Sequence, residues 1–451
     1  MTAVDYRGPV SNQAPPGPTR AVRVGVLGCG NVGSALVELL QHEAAAIAER
    51  CGVRLELAGV AVRNLAKARA AAVPEGLLTH DARAVATDPR VDVVVELIGG
   101  IEPARSCILA ALRAGKPVVT ANKELLANVG AELQAAADEA GVALLYEASV
   151  GGAIPLLRAL EVSLAGERVR RVMGIVNGTT NYILSRMSED GIDYAEALAE
   201  AQRLGYAEQD PAADVEGFDA SAKVAILAGI AFGADVVAGD VYREGIESIA
   251  VADIEFAHRL GYEVKLLAIA ELEGEGEGAG IAVRVHPAML PSDHPLSKVR
   301  GAFNAVFIEG EAAGELMLYG RGAGGRPTAS AVLGDLLDAA GSLAAGRRPR
   351  RVRRRRLEIR PIDELRAQYY LALDVADRPG VLADVARVFG DHAVSIRSME
   401  QVGLGDEARL VFITHTAREA DVQATLGDLA KLDAVERIGG LVRVIGPERS
   451  G

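Results

Sequence analysis

Val22-Arg23-Val24-Gly25-Val26-Leu27, then Gly28-Cys29-Gly30-Asn31-Val32-Gly33, then an Ala/Leu/Glu-rich run from Ser34 to Arg50, read as a short strand, a tight glycine loop and a helix. In such a loop the first glycine permits the turn. The second lets the backbone approach a pyrophosphate, and the third lets helix and strand pack closely. The helix N-terminus offers free N–H groups and a positive dipole end to the anion. A glycine pattern in a strand–loop–helix context points to dinucleotide binding; without that context it is only a turn.

Outward from this loop, strands and helices alternate. Leu55–Val62, Val91–Leu97, Pro117–Thr120 and Val142–Tyr146 read as strands. Lys67–Ala72, Pro103–Ala114 and Lys123–Ala140 read as helices. Val91–Leu97 is nearly all apolar, as a strand buried on both faces of a parallel sheet must be. The alternation predicts an α/β fold with a Rossmann-type doubly wound parallel sheet over residues 21–150. The helical pattern Pro327–Ala340 is expected to return to it, within about 318–345.

Residues 151–317 mix helices (Pro155–Leu164, Asn181–Met187, Tyr194–Leu204 and one ending near Phe232) with paired strands (Val264–Leu272 with Ile281–Val285, Asn304–Glu309 with Glu315–Tyr319). They predict a separate α+β domain. Arg347–Arg356 holds eight arginines. It is read as a solvated linker over 346–366, the alternative being an anion or nucleic-acid patch. Beyond it, Tyr369–Val375, Gly380–His392, Ser395–Val402, Arg409–Thr414, Ala420–Lys431 and Val435–Val444 follow the βαββαβ order of a ferredoxin-like unit over 367–447. Residues 1–20, with Pro9, Pro15, Pro16 and Pro18, read as a disordered tail.

Composition narrows the function. The 451 residues are half hydrophobic, enough for sizeable cores, and carry a net charge of −13. An acidic balance with no tryptophan argues against a nucleic-acid partner. No apolar run reaches the roughly 18–20 residues of a membrane span. Cys29, Cys51 and Cys107 form no CxxC pattern, so neither a disulfide framework nor a zinc site is expected, and a reducing cytoplasm fits. His286 and His294, either side of a proline-rich loop, are read as shaping it and not as metal ligands.

The second strand ends Val60-Ala61-Val62-Arg63, where an acidic residue would hold an NAD ribose. Arg63 can instead pair with a 2′-phosphate, which favours NADP; otherwise it is a surface side chain. The stretch from Ala201 to Lys223 is dense in polar groups. Asp219 and Lys223 are four apart and share a helix face. They form either a simple ion pair or, with Glu208 and Asp214 nearby, a site for a cationic group.

The spacing from Ala201 to Lys223 resembles the signature of the homoserine dehydrogenase family. So do Thr120-Ala121-Asn122-Lys123, Glu147-Ala148-Ser149-Val150-Gly151-Gly152, Asn177-Gly178-Thr179 and Gly320-Arg321-Gly322-Ala323-Gly324. The resemblance runs from about Val22 to Leu337. It implies reversible NAD(P)H-dependent reduction of L-aspartate 4-semialdehyde to L-homoserine, on the route to threonine, methionine and isoleucine. It implies Lys223 as proton donor, with Asp219 orienting it and Lys123 near cofactor and substrate. Glu208 and Asp214 would take the substrate's amino end, with Thr179 and Tyr206 lining the pocket and Asp219 also counted among the substrate-binding residues. Gly28, Gly30, Asn31, Val32, Gly33, Arg63, Lys123, Gly205 and Gly322 would hold the cofactor, the last two glycines as close approaches beside the nicotinamide. It also implies a Na⁺ or K⁺ site at Glu147, Val150, Gly152 and Ile154, mostly through backbone carbonyls.

Asp377-Arg378-Pro379-Gly380-Val381-Leu382 and Val394-Ser395-Ile396 look like an ACT domain. In this family that implies feedback by L-threonine, and a homodimer or homotetramer with residues 151–317 as the substrate and dimerisation domain. Removing residues from about Tyr369 on is expected to leave the chemistry and lose the threonine response. A phosphorylating aspartate-semialdehyde dehydrogenase would need a thiolate in the substrate domain, and all three cysteines lie in the nucleotide half. A non-catalytic amino-acid sensor is the other alternative; Glu208, Asp219, Lys223 and Lys123 together argue against it.

Overall fold

A computed structural model describes residues 21–66, 73–274, 276–349, 355, 357–403 and 407–446. The tail 1–20, the helix expected at Lys67–Ala72 and most of the arginine run lie outside the described residues. Of that run, Arg347 and Arg348 are exposed, and the Arg355 N–H donates to the Gly233 carbonyl.

The first sheet has six parallel strands in the order Leu78–Thr79, Arg54–Ala61, Ala21–Leu27, Val93–Glu96, Val118–Thr120, Leu144–Leu145. Ala21–Leu27 lies between Arg54–Ala61 and Val93–Glu96. The winding direction reverses there, so the loops after Leu27 and after Glu96 flank one crevice. The single helix expected over Ser34–Arg50 is two, Asn31–His42 and Ala44–Cys51. Hydrogen bonding continues through Glu43, so the break is a kink. Pro155–Leu164 winds into a π turn at Ala159–Ser163, closed by Leu164 N–H to the Ala159 carbonyl.

The second sheet starts from Gly314–Arg321, followed by Phe303–Gly310, Val169–Ile175, Tyr262–Glu273 and Gly280–Pro291. Residues 318–321 therefore belong to this sheet, and the chain crosses back only after Arg321. The helix Gly325–Ala344 makes the return, burying Val332, Leu336, Ala339 and Ala340 beside Val24, Val26 and Leu36 of the first domain.

The C-terminal unit has the expected βαββαβ order, with strands in the order Val435–Val444, Arg366–Ala376, Glu407–Thr414, Ile396–Gly403. It is not a separate bead. Val435–Val444 pairs in parallel with Gly280–Pro291, through Ala288 with Arg443 and Met289 with Val444. One sheet thus runs through both units. Its Tyr370, Ala372, Val411, Ile413, Val442 and Val444 share a core with Phe256, Val264 and Met289. The Tyr370 hydroxyl donates to buried Asp253 at 2.8 Å.

Deleting residues 366–451 uncovers that apolar face, so the chain is not modular in the way its sequence suggests. At about 1.5–3 kcal/mol per large buried side chain, the truncated protein is expected to unfold more than ~5 °C below the full chain. Thermal denaturation of both checks this; equal midpoints would show that the joint adds no stability.

Candidate active site

Strand Ala21–Leu27 delivers the chain to Gly28 at φ +98°, where an added Cβ would lie 2.4 Å from the Leu97 carbonyl oxygen. A Cβ on Gly33 would lie 2.3 Å from the Gly28 oxygen, whereas one on Gly30 would meet nothing within 4 Å. The two outer glycines therefore answer to packing, and the middle one faces open space. Gly30 supplies no side-chain cap to the helix that starts at Asn31, so the first-turn N–H groups of Asn31, Val32 and Gly33 remain for an anion. This cradle fits a dinucleotide pyrophosphate. Below it, buried Glu96 accepts from the Ile98 and Gly99 N–H groups at 2.7 and 3.2 Å and from the Thr120 hydroxyl at 2.6 Å. It pins the loop that flanks the crevice. Arg63 is exposed just past the end of strand Arg54–Ala61.

Thr120-Ala121-Asn122 carries the chain from the fifth strand into a helix. Asn122 caps it, accepting from Leu125 N–H at 3.1 Å, and donates to the Gly100 carbonyl at 2.7 Å. Lys123 is thereby fixed as the first helical residue. Its ammonium donates to one oxygen of Asp219. Asp219 and Lys223 project from Phe218–Phe232, a helix so apolar that Val224, Leu227 and Ala228 are fully enclosed. Lys223 Nζ donates to the other Asp219 oxygen at 2.8 Å and to the Val176 carbonyl at 2.7 Å. Asn177 Nδ2 bridges Asp219 at 2.8 Å and Asp214 at 2.6 Å.

Burial pushes the Lys223 ammonium below its ordinary range; Asp219 opposes that and Lys123 adds to it. Burial acts on Lys123 too, but the Asp219 carboxylate outweighs it and leaves Lys123 raised. Asp219 itself is held far below the carboxylate range: burial works against ionisation, and the two ammonium groups override it. The Lys223 side chain is 9% exposed and that of Lys123 is 44% exposed, so Lys123 stands on the open side and Lys223 beneath. A buried amine with a depressed pKa can exchange a proton near neutrality.

The remaining expected residues divide. Buried Thr179 donates its hydroxyl to the Tyr206 carbonyl at 2.8 Å, and the Tyr206 ring lies 4.8 Å from that of Tyr182. Glu208 sits on an exposed turn, and among the described residues its carboxylate is not hydrogen-bonded to the Asp219 cluster. Gly205 has φ +77° and open space around it, so its glycine suits a left-handed turn. A Cβ on Gly322 would fall 2.0 Å from the Asn304 amide nitrogen; what it makes room for within the chain is Asn304. Asn304 Nδ2 donates at 2.8 Å to the Val176 carbonyl, the same oxygen that Lys223 uses.

Glu147, Val150, Gly152 and Ile154 lie together and buried. The Glu147 carboxylate is taken by the N–H groups of Leu156, Leu157 and Arg158 at 2.6–2.8 Å. Any cation there would rest on backbone carbonyls. Among the described residues no group of three or more His, Cys, Asp or Glu could hold a metal ion.

Sequence reading did not assign Asn177, Asn304 or Glu96 a role. Asn177 stood in a quoted motif; Asn304 had no signal, because its hydrogen-bond partner Val176 is 128 residues away. Asn177→Ala removes the bridge between Asp214 and Asp219 and the cap on helix Gly178–Asp190. It is expected to cost about 1 kcal/mol in stability and roughly ten-fold or more in kcat, with dinucleotide binding retained. Denaturation, turnover and cofactor titration separate the three; an unchanged kcat would exclude Asn177 from the site.

Family models match three parts of the chain: homoserine dehydrogenase, NAD binding domain, at residues 28–147; homoserine dehydrogenase at 155–337; and ACT domain at 369–434. The homoserine dehydrogenase of Mycobacterium tuberculosis is 50% identical over 439 residues, 96% of this chain and 99% of that protein. The crystal structure of a homoserine dehydrogenase from Thiobacillus denitrificans superposes with a TM-score of 0.88 at 41% identity, covering 94% of this chain and 98% of that one. A hyperthermophilic archaeal homoserine dehydrogenase in complex with NADPH aligns at 29% identity with a TM-score of 0.58, over 71% of this chain and 98% of its own.

Proposed function

The chain belongs to the homoserine dehydrogenase family, and from that premise we propose how its residues perform the reaction. It is an NAD(P)-dependent oxidoreductase that reduces L-aspartate 4-semialdehyde to L-homoserine, reversibly. The observation that carries the residue assignment is the Lys223–Asp219–Lys123 linkage, buried at Lys223 and Asp219 and open at Lys123, beside a dinucleotide crevice.

When bound, the nicotinamide supplies a hydride to the aldehyde carbon. The carbonyl oxygen then needs a proton. Lys223 is the proposed donor, since burial makes its ammonium a stronger acid than an ordinary lysine. Asp219 keeps it oriented. Lys123, more open, is proposed to hold the reacting oxygen and lie against the cofactor. Asp214, tied to Asn177, and Glu208, on the exposed turn, are the carboxylates proposed for the substrate ammonium, with Thr179 and Tyr206 beside them. Gly28, Gly30, Asn31, Val32 and Gly33 are proposed to hold the pyrophosphate, and Gly205 and Gly322 to lie near the nicotinamide. Arg63 supports NADP over NAD. A Na⁺ or K⁺ ion on the carbonyls of Glu147, Val150, Gly152 and Ile154 would brace the loop, where Ala153 N–H donates to the Arg321 carbonyl beside Gly322.

L-Threonine is the proposed effector of the ACT domain. A homodimer or homotetramer is the proposed assembly, supported by exposed Leu316, Met317 and Tyr319 on the edge strand. The cytoplasm is the proposed location. Among the described residues no helix is long and apolar enough to cross a membrane.

Homoserine-dependent reduction of NADP⁺ and NAD⁺ tests the reading. Lys223→Ala is expected to lower kcat by at least about 100-fold while NADPH still binds; near-normal turnover would reject the donor. Oxidation needs the free amine and reduction the ammonium. With the folded pKa below 10.5, kcat for oxidation should rise with pH through a midpoint below that value, and kcat for reduction should fall through it. Arg63→Asp should raise KM for NADPH by roughly ten-fold or more and leave NADH nearly unaffected; equal effects would remove Arg63 from cofactor choice.

A further inference from the structure

Arg443 comes from the last strand of the ACT domain and is completely buried. Its guanidinium grips two carboxylates at once. It donates to both oxygens of Glu419, in its own domain, at 2.8 and 2.7 Å. It donates to both oxygens of Glu244, in the substrate domain, at 2.8 and 2.9 Å. Tyr242 closes the group, its hydroxyl donating to Glu244. Two bidentate pairs around one enclosed cation leave Glu244 little freedom.

Glu244 is one step from the catalytic helix. Its own N–H donates to the Val285 carbonyl at 2.8 Å. At the next residue, Gly245, an added Cβ would lie 2.4 Å from the Val215 carbonyl oxygen. Ile246 N–H donates to that same oxygen at 2.9 Å. On the other side of Glu244, the Arg243 guanidinium sits 3.6 Å over the Phe218 ring. Val215 to Phe218 is the turn that starts helix Phe218–Phe232, with Gly217 at φ +84° as its N-cap. Asp214 precedes the turn and Asp219 and Lys223 follow it. A contact chain of few links therefore joins the C-terminal strand to the two groups that handle the proton.

We propose that Glu244 is a positioning residue for the reaction: clamped by Arg443 of the ACT domain, it sets where the Val215–Phe218 turn, and so Asp219 and Lys223, stand. The proposal rests on Lys223 and Asp219 as the proton-transfer pair. It gives the ACT domain a standing contribution to turnover, with no effector present.

Glu244→Gln keeps the shape and loses the charge that Arg443 grips. The full chain carrying it should lose roughly ten- to hundred-fold in kcat for homoserine oxidation. KM for NADP⁺ and NADPH stoichiometry should stay within about two-fold, and the pH midpoint of kcat should move. Glu244→Asp, with the charge restored, should recover part of the loss. Arg243→Ala, at an exposed side chain, releases the same turn from Phe218 and should shift the same midpoint; it decides the matter if Glu244→Gln does not fold. A Glu244→Gln protein with a lower melting temperature but unchanged kcat per NADPH site and unchanged midpoint overturns the proposal, as does an unchanged Arg243→Ala. Lys223→Ala measured alongside separates the failures. If it retains turnover, the proton-transfer reading falls. If it is inactive while Glu244→Gln and Arg243→Ala are normal, only the positioning role falls.

Discussion

Two ammonium groups cannot share a water-poor site unless an anion stands between them. Here Asp219 is that anion, with one oxygen for Lys123 and the other for Lys223. The rest of the architecture serves this arrangement. The first domain presents Lys123 at the tip of a capped helix, the second presents Asp219 and Lys223 at the start of an enclosed one, and the crevice between the Gly28 and Leu97 loops lies alongside. Desolvation alone would make Lys223 a neutral base, and Asp219 alone would hold it charged. Their opposition, with Lys123 weighing on the side of the neutral form, leaves the Lys223 ammonium below its ordinary range, as the proposed proton transfer requires.

Much of this was legible in the sequence because the signals are local. The glycine loop lies within six residues, the strand Val93–Glu96 declares its burial by composition, and Asp219 and Lys223 reveal their shared face by spacing. What stayed hidden depends on distance along the chain. Asn304 reaches the Val176 carbonyl from 128 residues away. Arg443 carries no mark in the sequence of its surroundings, yet it is fully enclosed, because strand Gly280–Pro291 pairs along that edge and Glu419 and Glu244 close around it. Edge-to-edge pairing of strands leaves no periodic mark, so the C-terminal unit looked detachable when it is built into the second sheet.

The Glu147 loop shows how a resemblance and a geometry can assign one residue two tasks. Its side chain caps the backbone from Leu156 to Arg158, while its own N–H is received by Asp335 of the return helix at 2.8 Å. Arg158 completes the clasp, donating to the other Asp335 oxygen at 2.8 Å. Burial lifts the Asp335 carboxyl to about 6, against the pull of the Glu147 N–H and Arg158. The crossing from first domain to second and the return from second to first are thus tied at one point. That tie stiffens the loop, whose Ala153 N–H in turn donates to the Arg321 carbonyl.

The pairing of Ala288 and Met289 with Arg443 and Val444 also bears on how the chain is made. During synthesis that stretch of strand emerges well before its neighbour, which lies 155 residues further along the chain. Until then its backbone donors and acceptors are open to any other extended segment, including the same strand of a second nascent chain. The second sheet can close only after that later strand has been made, so the delay between these two strands is a window for misassembly that a detached C-terminal domain would not create.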